Sequence, residues 1–310
     1  MGRRRCLRKP TRRNPIFTGY LRRPGIGGQC PPYIGPFTPR LDARKRDMRN
    51  IRLTIAYDGS NYVGWQVQPN GPTVQVAVEE AIKQLTGLDA SVLSAGRTDS
   101  GVHALGQVAS FQTESSIPIE GFRKALHRFL PDDIIVRDVQ EVPLDFHATF
   151  SAVQKRYRYV IHNCRTHNPF LRNYVWHFHQ DLDSTAMHEA GQKLVGKYDF
   201  RSFESHWPNK ASSVRTVKEV TVRRQNFCPL WLGGSDHQPS DANAGEFVWV
   251  EIVADGFLYN MVRAIVGTLV PVGRGRWDGD DIRRILTAMD RSEAGDTAPP
   301  NGLYLVHVDY

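Results

Sequence analysis

Asp99 is the residue of this chain best placed by its neighbours to do chemistry. It sits in the glycine-bounded segment Gly96-Arg97-Thr98-Asp99-Ser100-Gly101, with a guanidinium two residues before it and His103 four residues after it. Strand-like runs flank the segment, Ala90 to Ala95 before it and Gln107 to Thr113 after it. A loop carried on rigid strands exposes a side chain while the scaffold fixes it, and glycines on both sides allow a sharp turn and a close approach by a flat ligand. A carboxylate held there could attack an electrophilic carbon or take a proton. On residue type alone, an Asp that bonds its own backbone in a turn is the competing reading. His103 reads as a hydrogen-bonding side chain that locks the loop.

Other side chains could share that work. Tyr157 and Tyr159 alternate onto one face of a strand-like run, leaving Arg156 and Arg158 on the other. A tyrosine on such a face either stacks on a planar ligand or packs in a core. Arg263 lies off the apolar stripe of a helical run, where a solvated arginine is ordinary. His162, Cys164 and His167 are close in sequence but have no second ligand cluster at a suitable spacing, so they do not read as a zinc site.

The elements that must position these groups follow from periodicity. Ile51, Leu53, Ile55 and Tyr57 alternate as a strand, and Thr73 caps a helix that carries Val74, Val78, Ala81 and Leu85 up to Gly87. Strands over 90–95 and 107–113, a helix over Gly121–Phe129 and a strand over 134–139 complete the order β-α-β-β-α-β, a ferredoxin-like unit. A similar order returns afterwards. Strands are expected at 156–162, 216–223, 247–253 and 303–308, with helices at 184–195, 258–270 and 280–289. The predicted fold is α+β: two ferredoxin-like halves, 50–150 and 151–310, with mostly antiparallel sheets and a cleft between them.

Residues 1–49 stand apart. They hold 14 Lys/Arg against Asp42 and Asp47, a net of +12, with seven prolines, six glycines and no apolar periodicity. This composition reads as a disordered tail, either a basic RNA-binding arm, an inert extension or a consequence of a start at Met48. The rest of the chain carries a net of −4 out of the total +8, so any surface for an anionic partner must come from local clusters rather than from global charge. Four scattered cysteines and no Cys-x-x-Cys pair suit a reducing, cytoplasmic setting, and no apolar run is long enough to span a membrane. Residues 226–245, polar and glycine-containing, read as a long surface loop.

The string Arg97-Thr98-Asp99-Ser100-Gly101-Val102-His103-Ala104, followed by Gly106-Gln107-Val108, closely resembles the signature of the tRNA pseudouridine synthase A (TruA) family. Further matches are Tyr57-Asp58-Gly59 with Tyr62, Gly64, Trp65 and Gln66, and Phe146-His147-Ala148 before Lys155-Arg156-Tyr157-Arg158-Tyr159. Gly196 to Phe200 with Ser202-Phe203, Met261-Val262-Arg263 with Ile265-Val266-Gly267, and Gly302 to Leu305 also fit. Coverage runs from about Ile51 to the C-terminus. His127 stands where family members usually carry Asn, Ser100 where Ala is commoner, and the 226–245 loop is longer than typical.

This resemblance implies a cofactor-free, metal-free isomerase that converts uridine to pseudouridine at positions 38, 39 and 40 of the tRNA anticodon arm. Asp99 would be the nucleophile and Arg263 its ion-pair partner. Tyr157 would be the ring that faces the base, with Tyr159 in the core, and Arg97 would flip the base out of the stack, the competing role for Arg97 being a phosphate contact or a surface ion pair. It also implies a homodimer that binds the anticodon stem-loop by shape and phosphate contacts. Two rivals remain. A non-catalytic RNA-binding module of the same architecture would need no acid in the cleft. A glycoside hydrolase would need a second, matched carboxylate, and no acidic residue in the sequence is an obvious partner.

Overall fold

The computed structural model describes residues 47–205, 212–226 and 245–310. The basic segment through residue 46, the 227–244 part of the long loop, and Cys6, Cys30 and Cys228 lie outside the described residues.

β1 (Arg49–Tyr57) points Ile51, Leu53, Ile55 and Tyr57 into the core, as its alternation requires. Thr73 caps α1 (Val74–Thr86) through its hydroxyl, which accepts from Val76 N, and Gly87 closes the helix at φ 73°. β2 (Leu93–Ser94) is much shorter than the 90–95 run suggested, and β3 (His103–Thr113) begins four residues earlier than its apolar pattern. α2 (Ile119–Leu126) and β4 (Ile134–Val142) complete the first unit. The His127 ring follows α2 and lies against the Val136 backbone, with Nε2 2.9 Å from Val136 O, so it joins α2 to β4.

The second unit starts with β5 (Gln154–His162) and a short β6 (Trp176–His177). Then come α3 (Ser184–Gly191), β7 (Gly196–Asp199), β8 (Val214–Gln225), β9 (Phe247–Ala254), α4 (Met261–Gly273), α5 (Gly279–Ala288) and β10 (Leu303–Asp309). β6 and β7 were not expected. Two and four residues are too few to show a period, and pairing with β5 and β8 is what defines them.

One sheet takes in both units, in the order β4-β1-β3-β10-β5-β9-β8-β7. All its pairings are antiparallel except β10 with β3 and β6 with β5. The join is made by β3, which changes partner along its length. His103 and Ala104 pair with Tyr304 and Leu305 of β10, whereas Ala109 and Ser110 pair with Ser94 and Leu93 of β2. Gly106 allows the strands to close on each other, since a Cβ there would lie 2.5 Å from Val306 O. One face of the sheet is buried in the main core, and α4 lies in that core almost all round, with 11 of its 13 residues buried.

A second contact between the units lies beside this join. His103 Nε2 donates to Asn173 O at 3.0 Å, its Nδ1 lies 3.0 Å from Gly59 N, and its ring stacks on Tyr304 at 4.7 Å. Asp58 is 3.2 Å from His103 Nδ1 and accepts from Ser60 and from the Tyr174 hydroxyl at 2.8 Å. The His103 contact and these hydrogen bonds outweigh burial and hold the Asp58 carboxyl well below the usual carboxylate range. A depressed folded-state pKa gives stability that is present above the unfolded value and lost as pH falls. Asp58→Asn is therefore expected to lower stability at pH 7 by about 2 kcal/mol. In denaturant titrations its gap from wild type should begin to narrow as pH falls below about 4, where Asp58 of the unfolded chain takes up a proton that the folded carboxyl still refuses.

Candidate active site

The loop between β2 and β3 owes its shape to two glycines. Gly101 has φ 75° and Gly64 φ 114°, both in the left-handed region. A Cβ on Gly64 would lie 2.7 Å from Thr98 O, so the 62–65 segment lies directly on the Asp99 loop. Trp65 N donates to Thr98 O, Gly101 N to Tyr62 O and Val102 N to Asp99 O, all at 3.1–3.2 Å. From below, the Tyr57 hydroxyl lies 2.7 Å from Thr98 Oγ1, and the fully buried Gln107 donates to Gly96 O at 2.7 Å. Asp99 is thus fixed by bonds on both sides of it.

Arg263 reaches Asp99 from α4, with Nη1 3.6 Å from Oδ2; the two side chains are 16% and 24% exposed. At that distance the contact is an ion pair longer than a hydrogen bond. The guanidinium is aimed by two other bonds. Nε donates to Ala298 O at 2.7 Å, and Nη1 donates to Asn260 Oδ1 at 2.7 Å. Ala298 N returns a bond to Arg263 O. Asn260 itself sits at φ 60° just before α4 and donates to Ser205 Oγ. The solvated-arginine reading of Arg263 does not hold.

Tyr157 faces the same space. Its ring is 7% exposed and meets Phe257 edge-on at 4.8 Å. Burial, with Tyr57 and the negative charge of Asp99 nearby, pushes its hydroxyl far above the usual phenol range, so it stays a neutral hydrogen-bonding group. Tyr159 is fully buried and donates to Pro299 O at 2.7 Å, which gives it a structural role. Arg97 projects from the exposed side of the loop. The arrangement therefore brings a carboxylate, a guanidinium and a neutral phenol to one place, with the exposed Arg97 two residues before the carboxylate in the loop. The residues missed in the sequence are the supporting ones, Tyr57, Thr98, Gln107 and Asn260. Tyr57, Thr98 and Gln107 lie in the strings that carry the family resemblance, and Asn260 is a polar residue at the start of an apolar helix, but nothing local gave any of them this supporting role.

His162, Cys164 and Glu246 come together on the other side of β5, their ligand atoms within 4.8 Å of one another. His167 is outside that group. The thiol already donates to Thr166 O at 2.9 Å, and His162 Nε2 lies 3.1 Å from the sulfur and 3.5 Å from Glu246. These contacts satisfy one another.

The comparison with known proteins decides the family. The model of the tRNA pseudouridine synthase family matches residues 53–151 and 190–310. The chain belongs to that family. A tRNA pseudouridine synthase A of Caldicellulosiruptor saccharolyticus is 47% identical over 263 residues, 85% of this chain and 100% of the relative. Those of Acetivibrio thermocellus and Moorella thermoacetica are 46% and 45% identical, over 85% and 84% of this chain and 100% and 99% of theirs. The first matched block contains Tyr57 and Asp99, and the second contains Asn260, Arg263 and Ala298, so both sides of the ion pair fall in matched sequence.

The aiming of Arg263 by Asn260 can be tested without disturbing the backbone. Asn260→Gly keeps the left-handed conformation and removes the side chain that bonds Nη1. It is expected to lower kcat for pseudouridine formation roughly ten- to a hundredfold, the cost of a misplaced catalytic group, with an unchanged far-UV circular dichroism spectrum.

Proposed function

We propose that this chain isomerises uridine to pseudouridine in the anticodon arm of tRNA, at positions 38, 39 and 40. The observation that carries the reading is the Asp99–Arg263 pair across the cleft, with Tyr157 beside it. The reaction breaks the N1–C1′ bond of uridine, turns the base and joins C5 to C1′. The atoms of substrate and product are the same, so no co-reactant is consumed. Asp99 supplies the nucleophile. Arg263 stands as the counter-charge to that carboxylate, 3.6 Å from it. Tyr157 offers a ring face for the uracil and a hydroxyl as a polar handle.

Arg97, exposed at the rim, takes the place of the base that leaves the stack. RNA is held by its phosphates and helical shape, and the enzyme acts as a homodimer, a state read from the family resemblance and checked by light-scattering mass. The site supports the isomerase over an RNA-binding module, which has no use for an aimed arginine–carboxylate pair. A glycoside hydrolase sets a second carboxylate opposite the first, whereas the groups described here beside Asp99 are the Arg263 guanidinium and the neutral Tyr157 phenol.

The test is conversion of an unmodified tRNA transcript by wild type and by Asp99→Ala, with pseudouridine mapped along the chain. Conversion confined to positions 38–40 and abolished by Asp99→Ala is the expected result; conversion by both proteins would remove Asp99 from its role. Binding of the transcript should also weaken steeply with salt, log affinity falling linearly with log salt concentration. A flat dependence would count against phosphate-led recognition.

A further inference from the structure

Lys155 is a cation that the catalytic set leaves unused. On β5 it lies two residues before Tyr157 and on the same face, so it enters the cleft about 7 Å further along the strand. Its ammonium lies 3.4 Å from the position a Cβ would take on Gly96, the residue before Arg97. Among the described residues no carboxylate or hydrogen-bond acceptor pairs with it, although most of the side chain is covered.

Its charged neighbour is another cation: Lys155 pairs with Ala254 of β9 and Ala254 with Val217 of β8, and Arg215 lies two residues before Val217 on the same face. Arg215, on β8, spends Nη1 on the Ser212 and Val214 carbonyls and makes no ion pair among the described residues. The guanidinium rests on the turn before Phe257, with Nε 3.4 Å from where a Cβ on Gly256 would sit. Phe257 in turn packs on Tyr157. Burial first, and then Arg215, push the Lys155 ammonium below its usual range. Among the described residues no acid pairs with either cation, so their mutual repulsion is left uncompensated. An anion placed between them would relieve both the repulsion and the desolvation.

We propose that Lys155 and Arg215 form a phosphate subsite that grips the RNA backbone next to the target nucleotide. This rests on the tRNA-isomerase reading and adds to it a site of known chemistry, a phosphodiester monoanion. Lys155 of the second unit reaches the Gly96 backbone, so the subsite lies beside the Arg97 loop. The RNA backbone would be held there while Arg97, next along the loop, enters the stack, so the adjoining nucleotide is drawn toward Asp99 and Tyr157.

The experiment compares full-length wild type, Lys155→Met, Lys155→Arg and Arg215→Gln on the unmodified tRNA transcript. Each is measured for the salt dependence of binding and for steady-state kinetics, with melting curves to confirm folding. Lys155→Met and Arg215→Gln should each reduce the salt slope by about one and raise KM with kcat held. Lys155→Arg should restore the wild-type slope, which a loss of packing alone would not allow. An unchanged slope in folded Lys155→Met, with wild type active, would overturn the subsite and leave the isomerase reading standing. So would a fall in kcat with binding intact, which would make Lys155 a proton-transfer group. Inactive wild type that still binds with a slope lowered by Lys155→Met would support the subsite and sink the isomerase reading.

Discussion

The geometry of the site depends on a short parallel join. β3 and β10 meet through two residue pairs, His103 with Tyr304 and Ala104 with Leu305, and the loops entering these two strands carry groups of the proposed site. Asp99 is four residues before His103. Ala298, whose carbonyl aims Arg263, is five residues before Leu303. The distance between carboxylate and guanidinium is therefore set by two short chain segments leaving adjacent strands. A slip of one residue in this register would turn every side chain of β10 to the other face. The bonds around His103, Asn173, Asp58 and Tyr174 lie at the same place and resist such a slip.

Preorganisation explains why so many groups are spent on one ion pair. A guanidinium that had to find Asp99 from solvent would lose side-chain entropy in doing so. Here Nε and Nη1 are already committed to Ala298 and Asn260, and that cost is met when the protein folds. The carboxylate side is treated alike, with the loop bonded above by Trp65 and Gly101 and below by Tyr57 and Gln107. Both charges reach the cleft with little freedom left, the condition under which fixed charges act most strongly on a reacting group.

The sequence revealed the parts of this arrangement that have a period or a signature. Alternation gave β1, helical spacing with a Thr cap and a Gly stop gave α1, and the string around Asp99 singled out the loop. What it withheld is long-range. β6 and β7 exist only as partners of longer strands, and β2 is short because it meets β3 only at Ala109 and Ser110, the start of β3 being given to β10. Arg263 shows why periodicity misleads at a site. It lies off the apolar stripe of its helix, as a solvated residue would, but α4 is buried nearly all round, so a position off the stripe faces a cleft. His127, which stands where the family usually has Asn, spends its ring on the β4 backbone, a contact that no local pattern announces.

Charge makes the same point at a larger scale. The chain from residue 50 on is net acidic, so its overall field does not draw RNA toward it. Several of its cations are neutralised on the sheet and helix surfaces, as Arg156 is by Glu219, Arg158 by Glu251 and Arg284 by Glu293. The cleft differs in kind. Lys155 and Arg215 make no ion pair among the described residues, and Arg263 faces Asp99, the proposed nucleophile. Outer cations with no acid beside them, such as Arg123, Lys124 and Arg128, are exposed and keep their water, whereas Lys155 is largely covered, so an anion that reached it would offset a desolvation already incurred. For such a protein, location of binding is decided by which cations are both unpaired and desolvated, and the net charge says little about it.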